Sequence, residues 1–93
     1  MRIISQEGLL EPVNVPYDRV TVRLQKTLIE GGEMHRIIAI EGINTYLLGV
    51  YTNIDEAETV FERISSAGCA GMNAYQLPGD HYSEGPLPLI PSR

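Results

Sequence analysis

The clearest alternation of apolar and polar positions lies between Thr45 and Gly68, T-Y-L-L-G-V-Y-T-N-I-D-E-A-E-T-V-F-E-R-I-S-S-A-G. Tyr46 to Tyr51 is rich in aromatic and branched residues, which suit a pleated and largely buried surface. Beyond it the period changes. Ala57, Val60, Phe61 and Ile64 recur at steps of three and four, with Ile54 at the start of the stripe, while Glu58, Glu62, Arg63 and Ser66 take the opposite side. Asn53 stands where an N-cap belongs, Glu56 follows at capping-box spacing, and Asp55, Glu56 and Glu58 complement the positive end of the helix dipole. Gly68 follows the last periodic residue as a left-handed terminator. The pattern predicts a helix of about 14 residues, near the average for globular proteins, over 54–67.

The other apolar segments are short and strand-like. Arg2 to Ser5 reads as a strand closed by Gln6-Glu7-Gly8, and Leu9 to Val15 as a loop or ragged edge strand, since Pro12 and Pro16 exclude a central position. Tyr17-Asp18 is a turn. Val20, Val22, Leu24 and Leu28 then alternate with Thr21, Arg23, Gln25 and Thr27 as a half-buried strand. Glu30-Gly31-Gly32-Glu33 is a hairpin signal, because paired glycines supply the positive φ angles of a tight turn. A strand from Met34 to Glu41 follows, Gly42-Ile43-Asn44 turns it into the strand before the helix, and Met72 to Leu77 forms the last strand after a Gly68-Cys69-Ala70-Gly71 turn.

If Gly31 and Gly32 form the turn, Glu30 faces Glu33, and Leu28, Lys26 and Leu24 face His35, Ile37 and Ala39. Val20, Val22, Leu24, Leu28, Ile37 and Ala39 then share the face that meets the helix, and Arg23, Thr27, Arg36, Ile38 and Ile40 share the reverse face. A slip of one residue would exchange the faces. With Ile38 and Ile40 the reverse face is too apolar for water, so either the N-terminal strand or a second copy of the protein covers it. The expected fold is α+β, an antiparallel sheet of four to five strands with one helix on a face, in a single small domain over residues 1–78. Residues 79–93 form a proline-rich C-terminal tail with Pro86, Pro88 and Pro91, whose Leu87, Leu89 and Ile90 are candidates for an interface.

Several segments resemble a group of short uncharacterised proteins of Firmicutes and their phages. The segments are M-R-I-I-S-Q-E-G at the start, the V-P-Y run, Y-L-L-G-V-Y-T-N-I-D-E-A, and Y-Q-L-P near Pro78. Members begin M-R-I-I-S-Q-D-G, carry a P-Y pair, and continue through L-G-x-Y into an acidic, alanine-containing helix. The resemblance spans Met1 to about Pro78 and implies no catalytic residue, because no activity attaches to the group. The longer proline-rich tail departs from it.

Composition narrows the function. With 93 residues the core is small. The net charge of −5 disfavours nonspecific binding to nucleic acid or anionic membranes. One cysteine, Cys69, excludes an intramolecular disulfide and fits a reducing compartment. No secretory signal or membrane-spanning run is seen, so a cytoplasmic protein is expected. His35, Cys69 and His81 are isolated, leaving no zinc spacing, and Cys69 fits packing in a small-residue turn better than catalysis.

Ser5, Asp80 and His81 form a triad only on paper, without a nucleophile elbow, and the helix carboxylates fit a solvated face better than an acid/base pair. No phosphate-binding glycine motif occurs. Arg19, Arg23 and Arg36 form a basic spot without aromatic platforms, and this disfavours nucleic acid. Pro88 to Arg93 fits P-x-x-P-x-[KR], a shape that SH3-like grooves accept but that is short and common. The expected protein is a noncatalytic interaction module without metal or cofactor, self-associating as a homodimer. A small-ligand binder with a pocket near Tyr46, Tyr51, Phe61 and Tyr75 is the second expectation, and weak nucleic-acid binding through Arg19, Arg23 and Arg36 is the third.

Overall fold

The computed structural model describes residues 1–80. One helix, α1 (Ile54–Cys69), packs against strands that form two three-stranded sheets. The strands are β1 (Arg2–Ile4), β2 (Asn14–Pro16), β3 (Thr21–Ile29), β4 (Gly32–Glu41), β5 (Asn44–Tyr51) and β6 (Ala74–Gln76). A short 3-10 turn spans Tyr17–Arg19. The α+β class with a helix on one face is as the pattern predicts. The strands number six, and their division between a sheet in the order β3-β4-β5 and a smaller one in the order β2-β1-β6 is what the structure adds.

α1 begins as its sequence dictates. The Asn53 side chain accepts from the N–H groups of Asp55 (2.8 Å) and Glu56 (3.1 Å), satisfying two donors that the first turn leaves without partners. Ala57, Val60, Ile64 and Ala67 are buried, with Phe61 packed beside them. The end differs from the expectation. The helix runs through Gly68 to Cys69, and Gly71, at φ +76°, supplies the left-handed residue. Gly71 N–H donates to Gly68 O (3.2 Å) and Met72 N–H to Ala67 O (3.1 Å), the bond pair of a Schellman cap. Gly68 has another task. A Cβ there would lie 2.7 Å from Cζ of Tyr17, so the bare backbone is what lets that ring lie on the helix. Cys69 is exposed rather than packed in a turn.

The hairpin closes on Glu30-Gly31, with Gly31 at φ +98° and Ile29 paired with Gly32. Val22 therefore faces Ala39, Leu24 faces Ile37 and Leu28 faces Glu33. This register lies two residues from the one with Gly31-Gly32 in the turn. A two-residue shift leaves every side chain on its predicted face, because the strand period is two. Ile37 and Ala39 are buried in the core with Ala57, Val60 and Ile64, and Val20, Val22 and Leu24 pack against it. Leu28 is 73% exposed, being out on the hairpin tip. An irregularity where Ile37 pairs with Gly49 and Ile38 with Leu47 leaves Leu48 as an extra residue, and its side chain is buried in the same core.

The small sheet holds the two chain regions furthest apart in sequence. β1 pairs antiparallel with β2 and parallel with β6, so Ile3 sits between Val15 and Tyr75. Ile3, Val15 and Leu77 join the same core as Ile37 and Leu48. The N-terminal strand thus lies on the helix side and does not cover the reverse face of β3-β4-β5, which removes that expectation. Pro12 and Pro16 flank or end β2, an edge strand, as their missing N–H groups require.

Gln6 joins the sheets. Its backbone N–H donates to Leu48 O (2.8 Å), its Oε1 accepts from Val50 N–H (3.0 Å), and its Nε2 donates to Val50 O and Pro78 O (3.2 Å each). Gln6→Leu conserves bulk but strips the partners from the N–H and C=O of Val50 and one of the two donors from Pro78 O, which keeps the Tyr51 hydroxyl. It is expected to cost about 2–4 kcal/mol in urea unfolding, and a loss under 1 kcal/mol would mean the seam holds without Gln6. Gly68→Ala tests the Tyr17 contact. Helix propensity alone would favour alanine by about 1 kcal/mol, yet overlap with the ring should make the variant less stable by about 1–3 kcal/mol. Tyr17→Leu in the same chain should recover part of that loss.

Candidate functional site

The pleat places Met34, Arg36, Ile38 and Ile40 of β4 opposite the helix-facing Ile37 and Ala39. Cross-strand pairing adds Thr21, Arg23, Gln25 and Thr27 from β3, and Thr45, Leu47 and Val50 from β5. This reverse face thus carries five apolar residues around two arginines. Ile38 is only 5% exposed, with Arg23 and Leu47 as its cross-strand partners, and Ile40 is half-buried. Neither belongs to the core built on α1. The two interface candidates legible in the sequence are therefore neighbours on one surface. Leu87, Leu89 and Ile90 lie outside the described residues.

The basic candidates separate. Arg23 and Arg36 sit diagonally on the reverse face, as the predicted face assignment requires, whereas Arg19 is in the 3-10 turn before β3. Arg36 Nη2 donates to Gln25 Oε1 (3.1 Å), which aligns its guanidinium along the sheet, and its Nε is buried without a hydrogen-bond partner. The side chain is thus half-buried over the sheet rather than extended toward solvent.

The two edges of β3-β4-β5 are unlike. On β5, Leu48 O and both backbone groups of Val50 are engaged by Gln6, and the chain beyond β6 is fastened alongside it. Tyr51 donates its hydroxyl to Pro78 O, and Thr52 donates its N–H (3.1 Å) to the carboxylate of Asp80. Among the described residues β3 has no strand on its outer side. Leu28 and Ile29 (50% exposed) stand at its end, a feature the alternation alone does not signal because Leu28 reads as an ordinary core position.

Several polar residues that could suggest chemistry are engaged within the fold. Ser5 Oγ accepts from Val13 N–H (2.8 Å), pinning the loop before β2, and Asp80 is held by Thr52. His35 is buried, with Nε2 3.6 Å from Glu33, whose other carboxylate oxygen is 3.8 Å from Lys26 Nζ. Among the described residues no group of three or more His, Cys, Asp or Glu could hold a metal, and no helix is long and apolar enough to cross a membrane.

The aromatic residues proposed for a ligand pocket fill the layer between helix and sheet: Tyr51 is fully buried and Tyr46, Phe61 and Tyr75 pack around the core. Of the four, Tyr46 borders a surface depression. That depression, of about 380 Å³, also borders 11–16 and Glu41, and one of about 330 Å³ borders Leu24, Gln25, Lys26, Glu33, His35 and Ile54. Comparison with protein-family models, with curated proteins and with solved structures finds no match.

Adjacent residues on opposite faces provide a test. Ile37→Ala should cost about 2–5 kcal/mol, as for a fully enclosed core residue. Ile38→Ala should cost clearly less when both are measured by urea unfolding at low micromolar concentration. Equal losses would show that the reverse face is enclosed within one chain.

Proposed function

We propose that the protein is a noncatalytic protein-interaction module that self-associates through its hairpin sheet. The observation that carries this reading is the composition of the sheet surface away from α1, where Met34, Ile38, Ile40, Leu47 and Val50 form an apolar strip. A face built to remain in water would alternate polar residues there, as Thr21, Arg23, Gln25 and Thr27 do on neighbouring β3. A small domain gains stability by covering such a strip with a second copy. Function then lies in the assembled surface rather than in a reacting group, and the polar residues that could have served catalysis are used to hold the fold. With one exposed cysteine and no long apolar helix among the described residues, we place the module in the cytoplasm.

Sedimentation equilibrium on the full chain and on a version ending at Asp80 tests the proposal. Retaining Asp80 keeps its bond to Thr52. Dimers of both versions by high micromolar concentration support association through the sheet. A dimer of the full chain alone would move the contact to residues 81–93, and monomers of both would overturn the reading.

A further inference from the structure

The hairpin sheet has two edges, and only one is closed. On β5 the outward groups of Leu48 and Val50 are bonded to Gln6. On the other side, β3 runs nine residues, Thr21–Ile29, without a neighbouring strand among the described residues. Its hydrogen-bonding parity follows from the turn. Because Glu30-Gly31 closes on the pair Ile29–Gly32, the odd-numbered residues of β3 direct N–H and C=O toward β4, and Val22, Leu24, Lys26 and Leu28 direct theirs outward. No described hydrogen bond reaches those outward groups. The other sheet offers no comparable edge, since β2 and β6 are three residues each and β2 ends in Pro16.

We infer that β3 pairs antiparallel with β3 of a second copy about a two-fold axis through Gln25, joining two hairpin sheets into one of six strands. This rests on the self-association proposed above but sets the contact at the β3 edge, joining the two reverse faces into one wider surface rather than covering the apolar strip. Three arguments select the arrangement. An exposed row of unpaired backbone groups is a template for another strand, and a two-fold axis lets identical edges satisfy each other.

Parity comes next. Outward-directed residues must oppose outward-directed residues, so only even-numbered shifts are allowed. With the axis at Gln25, Leu24 opposes the partner's Lys26 and Val22 opposes the partner's Leu28, which are the hydrogen-bonded pairs. Arg23 then opposes the partner's Thr27 and Thr21 the partner's Ile29, so all nine residues pair. An axis at Lys26 would set two ammonium groups directly opposite, which is destabilising. An axis at Leu24 would leave the partner's Ile29 beyond the strand.

The third argument is exposure. Leu28 and Ile29 are the large apolar residues that β3 leaves most open, at 73% and 50%. In this register Leu28 lies against the partner's Val22 and diagonal to its Leu24, both half-buried at the rim of the helix-side core. The stem of Lys26 lies along the partner's Leu24 with its ammonium at the solvent boundary.

Disulfide trapping in the full chain reads the register, in a Cys69→Ser background so that the exposed native thiol takes no part. Gln25→Cys places two thiols in a non-hydrogen-bonded pair at a Cα separation of about 4.5–5.5 Å, and the expected result is rapid covalent dimer. Arg23→Cys and Thr27→Cys each leave like thiols about 14 Å apart. Each should stay uncrosslinked alone but form a mixed disulfide when combined. Lys26→Pro removes an outward N–H that β4 does not use and should weaken dimerisation by at least about tenfold. Should its circular dichroism show a lost fold, Leu28→Glu at the exposed tip replaces it, with the same expected loss. A dimer by sedimentation that fails to crosslink at Gln25→Cys, or that persists unchanged in these edge variants, overturns the β3 contact while leaving self-association standing. A monomeric full chain overturns both.

Discussion

A sheet edge buried without partners is costly, and this protein meets that constraint with one side chain. The bulge at Leu48 turns backbone groups of β5 toward the end of β1, where water is excluded. Gln6 supplies a donor and an acceptor from its amide and a further donor from its backbone, and reaches Leu48, Val50 and Pro78 together. A carboxylate could accept but not donate, and an apolar residue could do neither. The two small sheets therefore present one continuous wall to the helix. Without that seam neither sheet of three strands would enclose much core.

The rest of the packing follows from a single helix having to serve that wall. α1 offers one stripe, and residues from all six strands converge on it: Ile3, Val15, Ile37, Ala39, Leu48 and Tyr51, with Val22, Leu24 and Tyr75 around them. The helix reaches Cys69 rather than stopping at Gly68, because Tyr17 packs on the glycine backbone and holds the chain before β3 against the last turn. Polar side chains tie the segments together. Ser5, Gln6, Asp80 and Tyr51 each fasten one segment to another.

What the helix does not cover defines the surface. Long β3 and β4 carry the hairpin beyond the helix, with apolar residues on its reverse face and an open edge at β3, while the opposite edge is sealed at Gln6. A contact made by β3 about a two-fold axis would close on itself rather than propagate. Arg23 and Lys26 on that strand temper the edge, as charges on natural edges commonly do.

Local periodicity was enough to determine the helix and its Asn53 cap, the long hairpin, and the division of β3 and β4 into two faces. These depend on neighbours three or four positions away in a helix, or on a period of two in a strand. Even the turn assignment, displaced by one residue from Gly31-Gly32 to Glu30-Gly31, left the faces intact because it moved the pairing register by two. The candidates Ile38, Ile40, Arg23 and Arg36 were legible as one surface for the same reason, whereas Arg19 fell outside the strand. Only the tertiary structure decided that the first and last described strands run parallel, that the strands split into two sheets, that Gly68 yields to Tyr17 and Gly71 ends the helix, and that Gln6 closes one edge while β3 stays open. Each of those outcomes rests on a contact between residues far apart in the chain, where no local spacing carries a signal and the requirement to satisfy buried groups chooses the arrangement.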